Sequence, residues 1–154
     1  MKRSRSSPAP GAVSGLRLRS CWPRAARVVL ADIRLEAAQG VADRIIGNGG
    51  SAQAQPLDLA DEGSIQTLVR ATLDRFGRVD ILHNNAADLS PELSTQDRDV
   101  ESMTADNWDS TFRVNVRGTM LACKYVLPHL VAIGGGTVAH VPGFAALSEL
   151  MNSG

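Results

Sequence analysis

Aromatic residues and cysteine are scarce in this 154-residue chain, which holds three Phe, two Trp, one Tyr and two Cys. The two thiols, Cys21 and Cys123, have neither metal-ligand nor redox spacing. That pattern argues against a disulfide framework and fits a reduced, cytoplasmic setting, with Cys123 read as a small apolar residue on a helix face. No run of eighteen apolar residues occurs, so no membrane span is expected. Lysine is also rare: arginine outnumbers it fourteen to two, as a GC-rich coding sequence would produce. No internal repeat is visible.

The formal net charge is zero, but it is unevenly laid out. Residues 1–27 carry seven basic residues and no acid, whereas residues 28–154 carry nine basic and sixteen acidic ones. A basic head can bind nucleic acid, lie on an anionic membrane or act as an organelle transit peptide. None of these readings is specific, and nucleic acid is not the expected partner. The Arg, Ser, Pro, Ala and Gly content of residues 1–26 also resembles a GC-rich gene read out of frame. Residues 1–26 are therefore expected to be an irregular or disordered head, and residues 27–154 a partial domain.

From Arg27 onward strand and helix alternate, a pattern that predicts an α/β fold with a parallel sheet covered on both faces. Arg27 to Ala31 is a short apolar run ending at Asp32, as a buried parallel strand would. Leu35, Ala38, Val41, Ala42, Ile45 and Ile46 recur at helical spacing until Gly47-Asn48-Gly49-Gly50 stops the helix. A strand from Ala52 to Leu57 leads to Asp58. The next helix, Glu62 to Phe76, places Ile65, Leu68, Val69, Thr72 and Leu73 on one face and ends at Gly77. Val79 to Leu82 follows as a strand. After a polar loop, Thr104 or Asp106 caps a long helix to about Ile133, with a bend or an end near Pro128. Phe112, Val114, Val116 and Met120 are expected to crowd the helix face around Asn115, and Trp108, Leu121, Tyr125 and Leu130 to be core or interface. Thr137 to Val141 begins another strand.

Four groups of residues carry chemistry. Asp32, followed by Ile33, stands at the carboxyl end of a strand, where a carboxylate can accept from ribose hydroxyls and repel a 2′-phosphate. Its alternative is a helix cap, and Arg34 keeps a 2′-phosphate open. Asp58-Leu59 repeats the arrangement after the next strand, again with a cap by Asp58 or Asp61 as the alternative. In Asn84-Asn85-Ala86-Ala87 small residues let a ligand approach the backbone, and the asparagine amides can pin neighbouring segments. Asn115 lies mid-helix, where asparagine is mildly unfavourable. His83 and His140 lie near strand ends without a serine or acid partner at a convincing spacing, and stay outside the site.

Asn84-Asn85-Ala86-Ala87 after a strand, with Val114-Asn115 in the following helix, resembles the short-chain dehydrogenase/reductase family over about residues 27–147. The resemblance implies a Rossmann-like, doubly wound parallel sheet and NAD(P)-dependent hydride transfer between an alcohol and a ketone, in a family whose members form homo-oligomers. It implies that Asp32 and Ile33 sit at the adenosine ribose, that Asp58 and Leu59 hold the adenine, and that Asn84, Asn85, Ala86 and Ala87 line the cofactor ribose. It further implies that Asn115 kinks its helix and holds a water in the catalytic proton relay through its backbone carbonyl. NAD is favoured over NADP by the acid at position 32.

The departures from the family pattern matter as much. Gly11-Ala-Val-Ser-Gly15-Leu-Arg17 echoes the Gly-rich pyrophosphate loop with Arg17 in place of its third glycine, no apolar strand precedes it, and Pro23 interrupts the helix that should follow. Pro142-Gly143 stands where the family places its serine. Tyr125 is followed four residues later by His129 rather than lysine, and no other tyrosine occurs. The expectation is a partial doubly wound sheet missing its first and last strands, with two unpaired strand edges, in a fragment inactive on its own. The alternative is a non-catalytic nucleotide-binding or interaction protein derived from the same family.

Overall fold

The computed structural model describes residues 26–86 and 101–140. The head, Ala87, Pro142 and Gly143 lie outside the described residues. Four parallel strands alternate with helices in the order β1 (Arg27–Asp32), α1 (Leu35–Gly47), β2 (Ser51–Pro56), α2 (Glu62–Phe76), β3 (Ile81–Asn84), α3 (Ala105–Thr111), a π-helical segment (Phe112–Gly118), α4 (Thr119–Ala132) and β4 (Thr137–His140).

The strands form two separate two-stranded sheets. β1 pairs with β2 from Arg27↔Ser51 to Asp32↔Pro56, and β3 with β4 from Ile81↔Thr137 to Asn84↔His140, both parallel. Among the described residues nothing joins the two sheets, so β1 and β3 each have one partner strand where an interior strand has two. The consequence shows in burial. The apolar run Val28-Val29-Leu30-Ala31, suited to a strand covered on both faces, contains no buried residue.

The core lies between the second sheet and the helices. Ile65 of α2 meets Leu121 and Ala122 of α4, with Leu57, Leu59, Leu82 and Tyr125 packed around them. Val69 of α2 meets Val126 and Leu130 of α4, flanked by Leu73 and Val79. On α1 the buried residues are the smaller Ala38, Val41 and Ala42.

Helix ends follow their local chemistry unevenly. Asp61 accepts from the Gly63 and Ser64 amides at the start of α2. Gly77, at φ 74°, closes α2 by donating to the Leu73 carbonyl at 2.7 Å in a left-handed conformation that glycine adopts without a Cβ penalty. At the start of α1, Arg34 occupies the cap position and its side chain makes no capping bond.

Several expectations need correction. The third strand lies two residues later than the apolar run suggests, at Ile81–Asn84, because pairing with β4 sets its ends and carries Asn84 into the ladder. The long helix is not one α-helix: seven residues around Asn115 widen into π-helical geometry. α4 ends at Ala132, next to the expected end at Ile133, and passes through Pro128 without ending there. Helix packing on Val126 and Leu130 outweighs the one hydrogen bond that Pro128 cannot donate. Phe112, Val116, Met120 and Trp108 do not line a crowded core; they are exposed, with Trp108 and Phe112 stacked at 4.5 Å. The buried face of this helix is Leu121, Ala122, Val126 and Leu130.

Candidate functional site

Parallel pairing brings the two acidic candidates together. Because Asp32 is in register with Pro56, the chain leaves β1 and β2 at the same level, and the Leu57 amide donates to the Asp32 carbonyl at 3.0 Å. Asp32 and Asp58 thus emerge at the carboxyl ends of adjacent strands, where ligands bind in open α/β sheets.

Asp32 does not cap α1. Its Oδ1 accepts from the Arg34 amide at 2.8 Å, and the Arg34 Nε lies 3.9 Å away. The carboxylate is held by the turn it initiates, with a guanidinium beside it. Ile33, next in sequence, is exposed at 71%, a surface position a planar ligand could cover.

Asp58 and Asp61 divide the roles that the sequence left open. Asp61 caps α2, whereas Asp58 folds its own turn: its Oδ1 accepts from the Ala60 amide at 2.8 Å, and its amide donates to Ser64 Oγ at 2.9 Å. Leu59 follows in that turn, half-buried against the Ile65 cluster. A half-buried carboxylate with a fixed backbone suits donors such as ribose hydroxyls or an exocyclic amine, the chemistry an adenosine presents.

The second asparagine-bearing region is assembled from β3 and the helices. Asn84 ends β3, and its Nδ2 donates to Cys123 Sγ of α4 at 3.5 Å, so the amide pins strand to helix. Asn85 is half-buried, Ala86 is exposed, and Ala87 lies outside the described residues. Asn115 is half-buried within the π-helical segment. π-helical turns are rare and are found frequently at functional sites. The π-helical segment Phe112–Gly118 spans the position of Asn115.

Two connections that sequence reasoning missed join these regions. A Cβ on Gly118, the last π-helical residue, would stand 2.6 Å from the Leu59 carbonyl oxygen and 2.8 Å from the Leu59 Cβ. The signal was present: glycine inside a helix costs about 1 kcal/mol against alanine, so it marks a close approach. One step away, Glu62 gathers three groups from the long helix. It accepts from the Tyr125 hydroxyl and from Lys124 Nζ at 3.1 Å, and lies 3.8 Å from Arg117. The Tyr125 hydrogen bond, with Lys124 next, holds the Glu62 carboxyl below its ordinary value, and Glu62 in turn raises Lys124 above its own. Gln66 Nε2 also donates to the Tyr125 oxygen at 2.8 Å. Tyr125 is therefore engaged between α2 and α4.

Other features lie apart from this arrangement. The groove lined by Gln66, Val69, Arg70, Leu73, Tyr125 and His129 includes none of the candidate cofactor residues. Among the described residues no group of three or more His, Cys, Asp or Glu could hold a metal ion, and no helix is long and apolar enough to cross a membrane.

A family model described as short chain dehydrogenase matches residues 18–152. The chain is 35% identical over 131 residues to a D-threitol dehydrogenase of Mycolicibacterium smegmatis, covering 82% of this chain and 46% of that protein. Among solved structures, a 3-ketoacyl-ACP reductase from Sinorhizobium meliloti superimposes with a TM-score of 0.65 at 31% identity, over 74% of this chain and 43% of that one. A gluconate 5-dehydrogenase from Burkholderia cenocepacia, solved in complex with NADP and tartrate, gives 0.62 at 26% identity over 75% and 43%. The chain spans about half the length of the curated relatives it matches.

Proposed function

We propose, for a chain that belongs to the short-chain dehydrogenase family, that its described residues form the adenosine-binding side of a nicotinamide-dinucleotide site. The reaction that this site serves is hydride transfer between an alcohol and a ketone, with NAD(H) as the coenzyme. The observation that carries this reading is the pair Asp32 and Asp58, brought to the ends of adjacent parallel strands by the Leu57 to Asp32 bond. In this reading Asp32 and Ile33 meet the adenosine ribose, Asp58 and Leu59 the adenine, Asn84, Asn85, Ala86 and Ala87 the remainder of the cofactor, and Asn115 the proton relay. The coenzyme, when bound, supplies or accepts the hydride; these residues bind and orient it.

NAD is the preferred form because a 2′-phosphate would have to stand against the Asp32 carboxylate, and the guanidinium that could receive it is already beside Asp32. Some relatives of this fold do hold NADP, as the gluconate 5-dehydrogenase shows for itself. The 154 residues by themselves bind without turnover: Pro142-Gly143 stands at the family's serine position and His129, not lysine, follows Tyr125 at the fourth place.

Calorimetric titration of the purified chain with AMP, NAD and NADP tests the reading. NAD is expected to bind more tightly than NADP, with most of the affinity already present in AMP. Tighter NADP binding would overturn the cofactor preference, no binding of any of the three would remove the site, and NADH consumption with a ketone above a protein-free control would sink the claim of inactivity.

A further inference from the structure

Gly118 sits where two segments with different roles touch. On one side is the turn Asp58-Leu59-Ala60, closed by the Asp58 carboxylate on the Ala60 amide. On the other is the π-helical segment Phe112–Gly118, which contains Asn115. The space between them is too small for a methyl group: a Cβ at Gly118 would lie 2.6 Å from the Leu59 carbonyl oxygen, 2.8 Å from the Leu59 Cβ and 3.2 Å from its carbonyl carbon. Two of those three atoms belong to the backbone, so a rotamer change cannot relieve the clash. Alanine is the better helix former by about 1 kcal/mol, and Gly118 has ordinary helical angles, φ −60° and ψ −45°. Its lack of a side chain therefore serves the close approach and not a special backbone conformation.

The adjacent residue makes a second tie between the same two regions. Arg117 reaches Glu62, the first residue of the helix that follows the Asp58 turn. The π-helical geometry matters to both contacts, because one extra residue in a helical turn rotates everything beyond it by about 100° relative to a continuous α-helix. That rotation sets which faces Arg117 and Gly118 present to the turn.

We propose that Gly118 is a positioning residue that locks the Asp58–Ala60 turn to the Asn115-bearing helical segment, so that occupation of the adenine side is transmitted to Asn115. The identity of the ligand rests on the function proposed above; the mechanical coupling does not.

The test is nuclear magnetic resonance of the full 154-residue chain, comparing wild type, Gly118→Ala and Gly40→Ala, with AMP as the probe. Gly40 is the control because it too is helical and an added Cβ there meets nothing within 4 Å. Gly118→Ala is expected to displace the backbone amide resonances of Asp58, Leu59, Ala60 and Asn115 without ligand, and to weaken AMP binding about fivefold or more. Gly40→Ala should leave those resonances and the AMP affinity unchanged. In wild type AMP should shift the Asn115 amide, and in Gly118→Ala that response should be lost, a readout that a purely structural role would not move.

A folded Gly118→Ala protein with undisturbed Asp58–Ala60 resonances, or with an Asn115 response like that of wild type, overturns the proposal. If wild type shows no AMP binding, the adenosine reading fails, while the ligand-free resonances still decide the coupling. If Gly118→Ala does not fold, the wild-type cross-relaxation between the Gly118 α-protons and the Leu59 β-protons decides: its presence supports the contact and its absence overturns it.

Discussion

The unit β1–α1–β2 and the unit built from α2, β3, α4 and β4 contain the same kinds of element but hold together differently. The first buries only Ala38, Val41 and Ala42, and its apolar strand β1 stays half-exposed. The second buries Ile65, Val69, Leu121, Val126 and Leu130 between two helices and a sheet. α2 begins on a bonded Asp61 cap and ends on a left-handed Gly77, whereas α1 begins on Arg34 with no capping bond. Asp32 ends β1 of the first unit, Asp58 lies in the connection from β2 to α2, Asn84 ends β3, and Asn115 lies in the π-helical segment before α4. Gly118 packs on Leu59 in the connection from β2 to α2, and Arg27 of β1 stands over the Phe76 ring of α2 at 5.3 Å; Arg117 and Lys124 on Glu62 tie the long helix to α2.

The contrast breaks most sharply in the cores. Ile65→Ala is expected to cost about 2–5 kcal/mol, since Ile65 is 1% exposed and packed by both α4 and its neighbours. Val41→Ala on α1 should cost about 1.6 kcal/mol, two carbons at ~0.8 kcal/mol each. Urea unfolding of both variants checks the order, and an equal or larger loss at Val41 would show that the two cores are alike.

The next effect is on binding. Asp32→Asn should abolish the preference for NAD over NADP, a change of about tenfold or ~1.4 kcal/mol, while leaving the fold intact because Asp32 is held by a local turn. Calorimetry with both dinucleotides measures it; a preference for NAD that survives in Asp32→Asn would assign the discrimination to another residue.

The helix caps provide a smaller and reciprocal pair. Asp61→Ala is expected to lose about 1 kcal/mol by freeing the Gly63 and Ser64 amides. Arg34→Ser should gain about 0.5–1 kcal/mol, because Arg34 already has the extended backbone of a cap, φ −98° and ψ 93°, but no capping bond. Thermal melts of the two variants should move in opposite directions.

The smallest effect is on pH dependence. The Glu62 carboxyl titrates below its ordinary 4.5 in the folded chain, so its pairing contributes stability above the unfolded value, and that contribution is lost as pH falls through the lowered value. Lys124 titrates above 10.5 when folded, and its share is present below that value and lost as pH rises through the raised one. Glu62→Gln should flatten both limbs. A stability profile with the same acid limb in Glu62→Gln would assign that limb to other carboxylates.

Much of the architecture was legible from short-range pattern. Leu35 to Ile46 and Ile65 to Leu73 repeat at helical spacing, Gly77 stops α2, and short β-branched runs ending at Asp32 mark strands; each depends on chemistry within a few residues. Asp32, Asp58 and Asn84-Asn85 were readable as candidates because each stands where a strand ends. The assignment of the cap to Asp61 instead of Asp58 was not readable, since both acids precede the same helix and only the backbone path decides which one faces the free amides. Nor was the exposure of Trp108, Phe112, Val116 and Met120. An apolar residue on a helix reports that it can be buried, not that a neighbour is there to bury it.

By itself the sequence determined the alternation of strand and helix, the glycine stops that end α1 and α2, and the residue types able to meet an adenosine, because these arise from local sterics, hydrogen bonding and hydrophobic period. Only the tertiary structure decided that β3 extends to Asn84, that the helix opens into a π-helical segment at Asn115, and that Gly118 meets Leu59. Those outcomes depend on contacts between residues tens of positions apart, whose cost and gain appear only when the segments share one space.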